Sequence, residues 1–197
     1  MKGDFLVSRV TSLPNLLTLM RIVLIPIFII VFYLPVPWAH GLAAAIFALA
    51  SFTDWLDGYL ARKLEQISPF GAFLDPVADK LLVACSLLLL VGEKDVGYIT
   101  IPAIVIVGRE IVISALREWM AEIGSRASVT VSYIGKIKTT LQMSALFLLI
   151  AFTPAESWWG VLGFIMLYVA AILTIWSMII YLSIAWPQLM KKGHVAS

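Results

Sequence analysis

Six apolar stretches dominate this chain, at about 14–33, 41–60, 75–91, 98–120, 135–152 and 158–186. At about 1.5 Å per residue, some 20 helical residues cross the hydrocarbon core of a bilayer, and each stretch can reach that length. Backbone groups in lipid must be satisfied within the segment itself, so such stretches fold as helices. Of the 197 residues, 61% are hydrophobic and 13% charged, a balance that leaves no room for an ordinary soluble domain. The expected product is an all-α integral membrane protein with six transmembrane helices. An interfacial segment over 1–12 precedes a six-helix catalytic domain over 13–186 and a cytoplasmic tail over 187–197. The first stretch follows Lys2 and Arg9 without a small-residue cleavage site, so it reads as a retained helix rather than a signal peptide.

Charge placement orients the bundle. Basic residues fall in the N-terminal segment, the 62–70 loop, the 117–138 connection and Lys191 and Lys192, while the other three loops hold only Lys94. By the positive-inside rule both termini are cytoplasmic. Trp158, Trp159, Trp176, Tyr181 and Trp186 include candidate interface anchors. A net charge of +2 gives no case for nucleic acid. Cys85, the single cysteine, excludes an internal disulfide and reads as a small packed hydrophobe. His40 and His194 have no partner at metal-ligand spacing.

Chemistry concentrates between the second and third stretches. Asp54 and Asp57 stand three apart, and Asp75 and Asp79 four apart, so on helices each pair shares a face. Carboxylates near hydrocarbon are costly unless paired, hydrated or liganded. A hard divalent cation neutralises such a group most simply, and Mg²⁺ commonly brings a phosphate with it. The pattern predicts a two-metal site for chemistry on phosphorus at the membrane surface. Capping of a helix start is the plainer alternative for Asp75 before Pro76 taken singly, but it explains neither Asp79 nor the earlier pair.

Other polar residues extend the pattern. Gly58 and Ala61 open a gap beside Asp57 in which a base or a pyrophosphate fits, or through which two helices pack closely. Asn15, Thr18 and Arg21 recur every three residues as a stripe facing the bundle interior, against the alternative that Arg21 snorkels to headgroups. Lys80 points about 100° away from Asp79 on a helix and pairs with lipid phosphate or a neighbouring loop. In the fourth stretch Glu110 and Arg117 nearly share a face, and Arg109 belongs either to a site or to a structural ion pair. GKIKTT, at 135–140, brings Lys136 and Lys138 to the mouth of the fifth stretch, as partners for an anionic substrate or as positive-inside flanks.

The aspartate stretch matches without departure the signature of the CDP-alcohol phosphotransferases, D-x₂-D-G-x₂-A-R-x₈-G-x₃-D-x₃-D. Asp54, Asp57, Gly58, Ala61, Arg62, Gly71, Asp75 and Asp79 fill it. PNLLTLMR at 14–21, GREIVISALREWMAEIG at 108–124 and GKIKTT resemble the bacterial branch of that family that forms phosphatidylglycerophosphate. The resemblance implies the six-helix transmembrane fold of that family and a homodimer among the phospholipids of the bacterial cytoplasmic (inner) membrane. The implied reaction transfers a phosphatidyl group from CDP-diacylglycerol to the 1-hydroxyl of sn-glycerol 3-phosphate. Two Mg²⁺ or Mn²⁺ ions would be held by Asp54, Asp57, Asp75 and Asp79, with Asp79 also the general base. Asp57, Gly58, Ala61, Arg62 and Gly71 would take CDP-diacylglycerol, and Arg109, Arg117, Lys136 and Lys138 the glycerol 3-phosphate. Asn15, Thr18 and Arg21 would support the site. A sister enzyme with another alcohol acceptor shares the motif, although the basic cluster favours an anionic one. A cation transporter would need polar residues through the full depth of the membrane, and the outer halves of these stretches are apolar.

Overall fold

The computed structural model describes residues 13–63, 69–93, 98–122, 133–152 and 157–192. They form six helices: α1 (Leu13–Phe32), α2 (Ala39–Lys63), α3 (Pro69–Gly92), α4 (Thr100–Glu122), α5 (Tyr133–Ala151) and α6 (Trp158–Lys192). The interfacial segment expected over 1–12, the loop with Lys94, the connection with Arg126 and the end of the tail lie outside the described residues. Pro35 and Pro37, which cannot donate a backbone hydrogen bond, separate α1 from α2. There the chain turns through Leu34 N–H to Val31 O at 3.1 Å and Ala39 N–H to Val36 O at 3.0 Å.

Helix packing explains where polarity collects. α1 packs against α2 and α3, α5 against α2, α3 and α6, and α4 against α3 and α6. Because successive helices alternate in direction, the second halves of α1, α3 and α5 meet the first halves of α2, α4 and α6. That end holds the continuous apolar core, with Phe28, Phe47, Leu87, Ile106, Leu146 and Leu167 among its fully buried members. Phe28 links two helices there, its ring centroid 6.2 Å from that of Phe47, a tilted aromatic pair of ordinary spacing. The opposite end gathers the remaining six half-helices and nearly all of the intramembrane charge.

The surface is inverted relative to a water-soluble bundle. On α1, Asn15, Thr18 and Arg21 are 2, 1 and 0% exposed, whereas Leu16 and Ile30 are 58 and 65% exposed. Water would favour the reverse arrangement; lipid favours this one. Three helices, Leu13–Phe32, Ala39–Leu60 and Trp158–Ser183, are long and apolar enough to cross a membrane, and Ile137–Ala151 is a shorter apolar one. α3 and α4 are comparably long but carry Asp75, Asp79 and Lys80, and Arg109, Glu110 and Arg117, within their length.

One boundary differs from the sequence reading and matters. α3 begins at Pro69, not near Asp75. Only the first four residues of a helix have unsatisfied N–H groups, so Asp75 is past the reach of a capping role and stands one turn before Asp79 on the same helix. Pro76 is accommodated inside α3.

α5 and α6 pack tightly at Gly163. A β-carbon there would lie 2.9 Å from Leu148 Cβ, 3.1 Å from Leu149 Cγ and 3.2 Å from the Ala145 carbonyl oxygen. A backbone oxygen and a β-carbon have little freedom to move aside. Gly163→Ala is therefore expected to destabilise the bundle by about 1–3 kcal/mol through overpacking. At Gly41 a β-carbon meets nothing within 4 Å, so Gly41→Ala should melt at or above the wild-type temperature. Thermal unfolding of both variants in detergent micelles checks the pair, and equal melting temperatures would refute the packing argument.

Candidate active site

α1, α2 and α3 converge at the polar end of the bundle, and a fully buried arginine lies between them. Arg21 Nη1 donates to Asp54 Oδ1 at 2.6 Å, and Nη2 donates to Asp57 Oδ2 at 2.5 Å. The planar guanidinium fork suits two acids one helical turn apart, where an ammonium would reach only one well. With no exposed surface, Arg21 does not snorkel. One turn earlier, Thr18 Oγ1 lies 2.5 Å from Asp75 Oδ1, 3.2 Å from the Pro14 carbonyl oxygen and 3.4 Å from Asp57 Oδ2. A hydroxyl has one proton to donate, and the shortest contact assigns it to Asp75. Asn15 is buried on the same stripe.

The acids grade from interior to opening. Asp57 is buried, whereas 45% of the Asp54 side chain is exposed. Asp79 lies in the electrostatic field of Asp54, Arg21, Glu110 and Lys80, and no hydrogen bond to another described side chain involves it. Gly71 is buried. A β-carbon on Gly58 would meet nothing within 4 Å, so the space beside Asp57 is open rather than filled by a neighbouring helix. The side chains of Ala61, Arg62 and Lys136 lie outside the described residues.

A second polar group forms where α3, α4 and α5 meet. Glu110 Oε1 accepts from Arg109 Nη1 at 2.6 Å and from buried Lys138 Nζ at 3.5 Å. Lys80 Nζ donates to Ser114 Oγ at 2.5 Å, and the Ser114 hydroxyl donates to the Glu110 carbonyl at 2.5 Å. Lys80 thus ties α3 to α4. Arg117 stands apart from Arg109 and Lys138: it is exposed, its guanidinium 5.6 Å from the ring centroid of Tyr181 on α6, within cation–π range. The polar stripe expected along Glu110 and Arg117 divides, because the longer arginine near the helix end reaches across to α6.

Glu110 and Ser114 were not among the residues expected at the site. A carboxylate set beside Arg109 in an apolar stretch was the available sign for Glu110. Nothing in the sequence distinguished Ser114, whose partner comes from another helix. A groove of about 440 Å³ opens between α3 and α4, with Val77, Leu81, Ala84 and Ile111 along it and Lys80 and Glu110 at its polar part.

The donor set suits hard cations. All four aspartates offer carboxylate oxygen, the ligand Mg²⁺ and Mn²⁺ prefer, and one guanidinium leaves the cluster with net negative charge beside hydrocarbon. Among the described residues no three His, Cys, Asp or Glu side chains form a ready cage; Asp54 and Asp57 are drawn to Arg21, and Asp75 to Thr18. Carboxylate oxygens of this kind are chemically suited to a hard divalent cation or to a proton.

Curated relatives match this chain along nearly their whole length. The chain is 55% identical over 184 residues to the CDP-diacylglycerol–glycerol-3-phosphate 3-phosphatidyltransferase of Pseudomonas fluorescens, covering 93% of this chain and 94% of that one. It is 53% identical over 181 residues to the protein of the same name from Escherichia coli K12, covering 92 and 98%. It is 52% identical over 180 residues to that of Yersinia enterocolitica, covering 91 and 98%. The family profile described as CDP-alcohol phosphatidyltransferase matches residues 11–176, from α1 into α6 and across all four aspartates. With the profile spanning most of the chain and the relatives more than half identical throughout, the chain belongs to the CDP-alcohol phosphatidyltransferase family.

Proposed function

We propose that this chain transfers a phosphatidyl group from CDP-diacylglycerol to sn-glycerol 3-phosphate, releasing phosphatidylglycerophosphate and CMP. The observation that carries this reading is identity of 52–55% over more than nine-tenths of the chain to enzymes named for that reaction. The aspartate motif agrees with it but is common to the family. The basic group around Glu110 supports an acceptor that is itself an anion.

In this reading Asp54, Asp57, Asp75 and Asp79 hold two divalent cations, Mg²⁺ or Mn²⁺. When bound, these would neutralise the diphosphate and the charge that builds on the departing CMP. Asp79 accepts the proton of the glycerol 1-hydroxyl, a role suited to the carboxylate that Arg21 and Thr18 leave uncommitted. The glycerol oxygen bonds to the phosphorus bearing diacylglycerol as the bond from that phosphorus to the CMP oxygen breaks. Direct transfer requires no covalent enzyme intermediate. Asp57, Gly58, Ala61, Arg62 and Gly71 form the CDP-diacylglycerol pocket, and the open space at Gly58 supports a ligand passing close to α2. Lys138 is the best-supported phosphate partner among Arg109, Arg117, Lys136 and Lys138, since its 3.5 Å contact with Glu110 is long enough to be exchanged for a shorter one. Six spans, both termini and the site on the cytoplasmic side of the inner membrane, and a homodimer complete the proposal. Under it, the site opens at headgroup level and the lipid tails stay in the leaflet.

Purified protein supplied with CDP-diacylglycerol and a panel of alcohols should release CMP with sn-glycerol 3-phosphate and not with serine or inositol; the reverse preference would overturn the acceptor assignment. Chelation of divalent ions is expected to stop turnover, and re-addition of Mg²⁺ or Mn²⁺ to restore it. Asp79→Asn should lower kcat by about 10²–10⁴-fold, the usual worth of a positioned acid or base, while retaining CDP-diacylglycerol binding. Lys138→Ala should raise KM for glycerol 3-phosphate with a smaller change in kcat. An unchanged KM would remove Lys138 from the acceptor site.

A further inference from the structure

The stripe on α1 carries no residue of the aspartate motif, yet it touches three of the four aspartates. Arg21 takes Oδ1 of Asp54 and Oδ2 of Asp57, and Thr18 takes Oδ1 of Asp75. In each case α1 engages one carboxylate oxygen, and at Asp57 the Gly58 backbone N–H adds a further hydrogen bond. A carboxylate held by one oxygen loses most of its rotational freedom, so the direction of its second oxygen is set in advance. Thr18 and Arg21 are themselves immobile: both are fully buried, and they sit one turn apart on α1, which packs directly against α2 and α3.

We infer that Thr18 and Arg21 are positioning residues for divalent-cation binding, α1 acting as a jig that fixes the orientation of the Asp54, Asp57 and Asp75 carboxylates. This rests on the metal-dependent reading above and assigns metal affinity to two side chains that bind no metal. Outer partners of this kind typically govern about 10- to 100-fold in metal affinity. Arg21 also places a positive charge beside the acids, which opposes cation binding, so its removal mixes a charge effect with a geometric one. Thr18 is neutral. Its hydroxyl contributes position alone, and Arg21→Lys keeps the charge while losing the fork.

The test is Mn²⁺ binding to the full-length protein in detergent micelles, followed by electron paramagnetic resonance of free Mn²⁺, for wild type, Thr18→Val, Thr18→Ser and Arg21→Lys. Thermal unfolding identifies the variants that fold. Thr18→Val and Arg21→Lys are expected to raise Kd for Mn²⁺ by about 10- to 100-fold, and Thr18→Ser to bind as wild type does. The Mn²⁺ concentration for half-maximal CMP release should rise in parallel for Thr18→Val, with most of the rate recovered at saturating metal, a rescue that a general packing defect would not allow. A folded Thr18→Val with wild-type Kd overturns the inference; should that variant not fold, the same result with Arg21→Lys does so. If the wild-type protein itself binds no Mn²⁺, the metal reading falls with it, whereas wild-type binding matched by the variants removes only the role of α1.

Discussion

A guanidinium buried without exposure between Asp54 and Asp57 sets the terms for the rest of the molecule. Leaving a charge of a buried pair unmatched costs about 3–5 kcal/mol, so α1 and α2 must meet in the one register that brings Arg21 to both acids. Thr18, a turn away on the same face, then meets Asp75 on α3. Three successive helices are thereby aligned by five side chains, Thr18, Arg21, Asp54, Asp57 and Asp75. The alignment is polar, while most of the surrounding surface is apolar, so sliding any of the three helices by a turn would leave charge facing apolar surface.

The division of the bundle into an apolar end and a polar end is a consequence of chain direction. Successive helices run antiparallel, and the polar residues fall toward the same side: in the first half of α1, α3 and α5, in the second half of α2, and from the middle of α4 onward. Phe28, Phe47, Leu87 and Leu146 pack the opposite end and give the site a rigid floor. Lys80, Ser114 and Glu110 join α3 to α4 by hydrogen bonds where few bulky side chains fill the space, and Lys138 brings in α5. Acidic and basic groups are thus held on neighbouring helices.

Much of this was legible in the residues alone. The apolar stretches located all six helices, since a hydrophobic run of that length has few alternatives to a helix in lipid. The three-residue spacing of Asn15, Thr18 and Arg21 located the inward face of α1, and the aspartate spacing located the facing surfaces of α2 and α3. The start of α3 was not legible, because Pro69 opens a helix as readily as it closes a loop. Nor was the parting of Arg117 from Arg109 and Lys138: all three are cations of similar reach, and which one meets Tyr181 depends on how α4 and α6 cross.

The sequence by itself determined the class of structure, the placement of charge and the family, because each depends on composition or on spacing within one segment. Which oxygen of which carboxylate is engaged, that Arg21 serves two acids and Thr18 a third, and that Lys138 meets Glu110 were decided by tertiary structure. These are contacts between helices, and their geometry follows from packing distances and rotamers that no single helix encodes.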